Sequence, residues 1–149
     1  MKKRFPECEK TSSNKLIPLV ENKSKFVIEN PNQFRVCVVQ VDGCAIKEGQ
    51  RCDYLVIPDQ QDIKKVIEIY IELKGSKILH AIEQLEATMK KLSDDPAKQE
   101  KVCIIVSSQC PLITTKIQNF KKDFKKKYSA KLEFKNRNYT YCLSKHDDS

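Results

Sequence analysis

Glycine is scarce in this chain: it occurs three times, at 43, 49 and 75. That scarcity leaves no Gly-rich loop to cradle phosphates, and no Walker-type or dinucleotide-binding motif is present. Tryptophan is absent, and no apolar run approaches the ~20 residues that span a bilayer, so no membrane partner is expected. Histidine is limited to His80 and His146, and neither sits in a local Cys–His nucleophile signature. The seven cysteines (8, 37, 44, 52, 103, 110 and 142) are odd in number and include no CxxC pair. Their spacing matches neither a zinc ribbon nor a disulfide framework. Cys37, Cys52, Cys103 and Cys142 fall in predicted strands, where a reduced thiol packs as a small apolar group. The opening residues MKKRFPECEK are basic but lead into no apolar stretch, unlike a secretory leader, and the expected location is the cytoplasm.

What is present suits one ordered domain over residues 1–149. Apolar residues make up 40% and charged residues 32%, and the length allows a core without disulfide support. The net charge is +8 and the isoelectric point about 9.1.

The most informative stretch is Arg51–Gly75. Residues 66–74 alternate with period 2: Ile67, Ile69, Ile71 and Leu73 point one way, and Glu68, Tyr70, Glu72 and Lys74 the other. An earlier strand, 52–57, sets Asp53, Leu55 and Ile57 on one face. If the two pair as an antiparallel hairpin, one register brings Asp53 opposite Glu72, Leu55 opposite Tyr70 and Ile57 opposite Glu68. Opposed residues share a face at roughly 5 Å. Two carboxylates so close repel unless a proton or a cation lies between them. A hard divalent ion held by carboxylate oxygens answers that demand. Lys74 reaches the same side.

Asp53 followed, after residues 54–71, by Glu72-Leu73-Lys74, with a glycine and a helix next, resembles the PD-(D/E)XK nuclease superfamily. The resemblance implies a restriction-endonuclease-like α/β fold, a mixed central sheet flanked by helices. It implies a Mg²⁺- or Mn²⁺-dependent nuclease, an endonuclease acting by preference on DNA. Asp53 and Glu72 would hold the metal with the Leu73 carbonyl, and Lys74 would assist the attacking water. Superfamily members also carry a glutamate on an N-terminal helix, for which Glu21 is the candidate over Glu7 and Glu9. RecB-like members place a glutamine on the helix after the ExK strand, and Gln84 resembles it. The tyrosine expected four residues later is replaced by Thr88. A homodimer or a larger nuclease complex is the implied assembly.

Elsewhere the chain reads as follows. Residues 1–24 are poorly defined, with a short helix expected after Ser12-Ser13-Asn14 and interrupted at Pro18. Strands are expected at 25–29 and 34–41, ending in a turn at Asp42-Gly43. A helix capped by Ser76 runs to Leu92 with the stripe Ile78, Ile82, Leu85, Met89, Leu92. Residues 102–106 are a strand buried on both faces and parallel to its neighbour. A second helix, 113–128, turns Ile113, Ile117, Phe120, Phe124 and Tyr128 inward. A hairpin of 131–134 with 139–143 closes the domain, before a frayed tail at 145–149.

The second helix exposes Lys116, Lys121, Lys122, Lys125, Lys126 and Lys127. Residues 111–139 hold nine Lys/Arg against two Asp/Glu, a surplus of +7. Such a surface suits a polyanion, because each phosphate neutralised releases counterions. Two alternatives stand beside the nuclease: a non-cleaving or partner-dependent nucleic-acid-binding member of the same fold, or a protein-interaction module using the basic helix.

Overall fold

The structure, a computed structural model, describes residues 5–21, 24–59, 67–73, 77–107, 114–136 and 140–143. A strand that is apolar on both sides must be covered on both sides. Four strands meet that condition: β4 (Val36–Gln40), β5 (Tyr54–Pro58), β6 (Glu68–Glu72) and β7 (Lys101–Ser107). They form the centre of a six-stranded mixed sheet of order β1-β4-β5-β6-β7-β8, edged by β1 (Glu9–Ser12) and β8 (Ala130–Asn136). The pairings from β1 to β6 are antiparallel, and β6, β7 and β8 run parallel.

One face of this sheet meets both helices. Cys37, Val39, Leu55, Ile57, Tyr70, Cys103, Ile105 and Leu132 pack there against Ile82, Leu85, Met89 and Phe124. The helices are α1 (Ile78–Leu92) and α2 (Thr115–Tyr128). The other face, with Val36, Val56, Ile69, Ile71, Ile104 and Val106, packs on Ile17, Leu19, Phe26 and Ile28. Those residues belong to a three-stranded sheet of β2 (Leu16–Glu21), β3 (Ser24–Glu29) and β9 (Thr140–Cys142), in the order β2-β3-β9. The mixed α/β class is therefore as expected. The flanking is not, since a small sheet and no helix covers the second face among the described residues.

Local chemistry explains the element ends. The Thr114 hydroxyl accepts from the Ile117 N–H at 3.2 Å and caps α2. Ser129 closes α2 in the left-handed region at φ 54°, and its N–H returns to the last-turn carbonyls of Lys125 and Phe124. Lys77 precedes α1 without a side-chain cap, and the expected cap Ser76 lies outside the described residues. Of the expected stripe of α1, Ile82, Leu85, Met89 and Leu92 are buried and Ile78 partly so, with Ala81 buried beside them. The two helices are joined where the Tyr128 hydroxyl donates to Glu86 Oε2 at 2.7 Å. A buried lysine anchors the opposite end of the sheet. Lys101, 1% exposed, donates through Nζ to the carbonyls of Asp95 (3.1 Å), Pro96 (2.9 Å), Gln99 (2.6 Å) and Tyr128 (2.7 Å).

Three further expectations are corrected. The short N-terminal helix is instead a pair of strands, with Pro18 in β2. That strand lies at the edge of its sheet, where proline's missing N–H costs no ladder bond. The final hairpin does not form: β8 runs parallel to β7 in the large sheet, and β9 runs parallel to β3 in the small one. Cys8 and Cys44 form a disulfide, and Cys142 is exposed while Cys37, Cys52 and Cys103 are buried free thiols. Spacing alone hid the pair because the two cysteines are 36 residues apart and meet only through β1–β4 pairing.

Candidate metal centre

The hairpin of β5 and β6 forms in the expected register. Tyr54 pairs with Ile71 and Leu55 with Tyr70, and the ladder ends there, one residue short of Asp53 and Glu72. The backbone is locked there on both sides. The Asp53 N–H donates to the Ile71 carbonyl at 3.1 Å, and Asp53 Oδ2 accepts from the Leu73 N–H at 2.7 Å. Asp53 and Glu72 are each only 4% exposed, so neither is a solvating surface acid. A charge removed from water demands compensation from its surroundings.

Asp53 belongs to a carboxylate cluster that does not include Glu72. One carboxylate oxygen each from Glu21, Asp42 and Asp53 lies within 4.8 Å of the other two. The fold brings them from three places. Glu21 ends β2, which is held over β5 where the Tyr54 hydroxyl donates to the Val20 carbonyl at 2.9 Å. Asp42 follows β4, and the N–H groups of Val41 and Asp42 both point to the Asp53 carbonyl, at 3.0 and 3.4 Å. Two residues against one is the pattern of a β-bulge, which redirects a side chain. Asp42 also accepts from Arg51 Nε at 2.7 Å, while Gln84 Nε2 donates to the Arg51 carbonyl at 3.0 Å.

The local field is negative. The Cys52 thiol is pushed well up, first by burial, with the Glu72 and Asp53 charges adding to it. Tyr54 is raised too, first by burial and then by the charges of Glu21 and Asp53. Both carboxylates thus act on the single buried site at Cys52, and Asp53 acts on Tyr54 as well.

Set against expectation, Asp53 and Glu72 lie at the same end of their paired strands, but the carboxylates gathered with Asp53 are those of Glu21 and Asp42 and not that of Glu72, and Glu21 comes from a strand rather than a helix. Leu73 enters through its N–H, as the donor to Asp53, with its side chain buried in the core. Gln84 reaches the Arg51 backbone, one step removed from the carboxylates. Lys74 lies outside the described residues. Asp42, for which sequence reading preferred the turn over a place near the metal, stands in the cluster, and Tyr54 was missed. The signal for Tyr54 was its position beside Asp53; nothing in the sequence predicted Val20 as its acceptor.

Oxygens on opposite sides of one Mg²⁺ are about 4.2 Å apart, and on one Ca²⁺ about 4.8 Å. Three hard oxygen donors at this spacing therefore fit a small divalent cation that keeps some of its waters. All six expected lysines, Lys116, Lys121, Lys122, Lys125, Lys126 and Lys127, lie on the exposed side of α2. No protein-family model, curated protein or solved structure matches this chain. No helix among the described residues is long and apolar enough to cross a membrane.

Proposed function

We propose that this protein is a metal-dependent nuclease that hydrolyses phosphodiester bonds, with DNA as the preferred substrate. The observation that carries the reading is the buried Asp53. It is bonded to the backbone of the Glu72-Leu73 strand end at 2.7 Å, and it shares a carboxylate cluster with Glu21 and Asp42. Its support from sequence is the resemblance of Asp53…Glu72-Leu73-Lys74 to the PD-(D/E)XK pattern.

In this reading Asp53 with Glu21 and Asp42, joined by Glu72 as the resemblance implies, would hold Mg²⁺ or Mn²⁺. The bound ion supplies an acidified water and charge neutralisation at the phosphate. The chain's own residues position the reaction. The Leu73 N–H fixes the rotamer of Asp53, and Arg51 fixes that of Asp42. Lys74 orients the attacking water. Both helices start after the carboxyl ends of β6 and β7, so their positive ends open toward the edge of the sheet that carries Glu72. That field favours an approaching phosphate.

The test is incubation with circular single-stranded DNA, circular duplex DNA and RNA, in Mn²⁺ or in EDTA. Cleavage is expected only with metal, and is expected to vanish in Glu72→Gln and Lys74→Ala proteins that unfold at the wild-type temperature. Undiminished cleavage by purified Glu72→Gln protein rejects the assignment.

A further inference from the structure

The lysines of α2 are not equivalent, and the fold separates them. Successive residues of a helix turn by about 100°. Counted from the buried Phe124, Lys121 and Lys125 fall on one flank, while Lys122 and Lys126 fall on the pole facing away from the sheet. The flank carrying Lys121 and Lys125 overlooks β8, the open edge strand of the large sheet. Along that edge runs a cleft of about 480 Å³, lined by five lysines and two glutamates. One of the five, Lys101, is committed to backbone carbonyls. The other four are Lys121 and Lys125 from the helix and Lys131 and Lys135 from β8 itself.

Strand periodicity orders this set. Lys131, Glu133 and Lys135 alternate with Leu132 and Phe134, so the two lysines project on one side of β8 and the helical pair on the other. Glu133 lies 3.8 Å from Lys131 and 3.7 Å from Lys135, which fixes the pair in place but leaves the cleft with a cationic surplus. The ammonium of Lys121 sits 5.9 Å from the centre of the Phe134 ring, which steadies it over the strand. The helical pair and the β8 pair therefore flank the edge strand from its two sides, along a strand of seven residues. That length is roughly 20 Å at strand rise.

We infer that this cleft along β8, with Lys121, Lys125, Lys131 and Lys135, is a binding groove for the sugar-phosphate backbone of single-stranded nucleic acid. The inference rests on the nucleic-acid reading above and extends it to two lysines outside α2. Cations flanking one edge strand along its length suit the phosphates of one strand laid along it. The groove also leads to the proposed chemistry. β8 runs parallel to β6, and its Lys135 end lies at the sheet edge that carries Glu72. Between β8 and β5 lie three strand spacings, roughly 14 Å.

The test measures binding of a labelled single-stranded oligonucleotide in EDTA, so that no cleavage occurs. Two double variants carry the same change in net charge on the same helix: Lys121→Glu/Lys125→Glu and Lys122→Glu/Lys126→Glu. The first is expected to lower affinity about tenfold or more and to reduce the slope of log K against log salt by about 1.4. The second is expected to stay within about threefold of wild type, because the outward pole touches no bound strand. Lys131→Glu/Lys135→Glu is expected to match the first. Equal losses from both helical pairs, or none from the first, overturn the groove. So does poly-glutamate competing as well as the oligonucleotide at equal charge, which assigns the cleft to an acidic protein. Metal- and Glu72-dependent cleavage that survives in Lys121→Glu/Lys125→Glu protein with unaltered binding sinks the groove and leaves the nuclease standing. Groove-dependent binding without cleavage does the reverse.

Discussion

Replacing Asp53 by asparagine separates a metal centre from a mere crowd of acids. The three oxygens lie within 4.8 Å of one another. Two unit charges at about that distance repel by about 1 kcal/mol in water and about 3.5 kcal/mol at an effective dielectric near 20. Arg51, 2.7 Å from Asp42, offsets part of this. Asp53→Asn removes two of the three pairwise repulsions, those with Glu21 and Asp42, but weakens the charge-assisted bond from the Leu73 N–H by about 1 kcal/mol. The first change is at least as large as the second, so in EDTA the variant should be no less stable than wild type. With metal the two proteins should diverge. Saturation to about 100 times Kd stabilises the wild type by about 2.7 kcal/mol. For a chain of this size that is a rise in Tm of about 5–10 °C. Thermal unfolding in EDTA and in millimolar Mg²⁺ or Mn²⁺ reads both effects. An equal rise in the Asn variant, or no rise in the wild type, refutes the centre.

Two predictions concern the scaffold. Lys101→Met should cost about 3 kcal/mol in chemical denaturation, because it strands buried carbonyls that a charged donor satisfied; the exposed Lys98→Met should cost under about 0.5 kcal/mol, and equal effects would dismiss the role. Tyr128 is pushed up to about 12, first by burial and then by its bond to Glu86. Its folded pKa thus lies above the ordinary tyrosine value of about 10, so its contribution is complete below pH 10 and declines as pH rises toward 12. Tyr128→Phe should lose about 2 kcal/mol at pH 7 and show a shallower fall between pH 10 and 12; parallel pH curves would contradict this.

Periodicity made the centre of the fold legible. The alternation at 67–73, the stripe of α1 and the five-residue apolar run in β7 each follow from local geometry that any chain must obey. The hairpin register followed as well, because matching Leu55 with Tyr70 is what keeps each strand's faces consistent. The residues 9–21 were opaque for the opposite reason: short, polar strands carry almost no pattern, and Pro18 reads as a helix breaker until its edge position is known.

On its own, the sequence determined which residues alternate, which helices carry a stripe and where positive charge accumulates, since these depend only on neighbours along the chain. Tertiary structure alone decided what meets across the chain. It joined Cys8 to Cys44, sent β9 to a different sheet from β8, brought Glu21 and Asp42 to Asp53, and set Lys131 and Lys135 beside Lys121 and Lys125. Each of those meetings depends on the order of strands in a sheet, and strand order is fixed by burying two faces at once rather than by any local spacing.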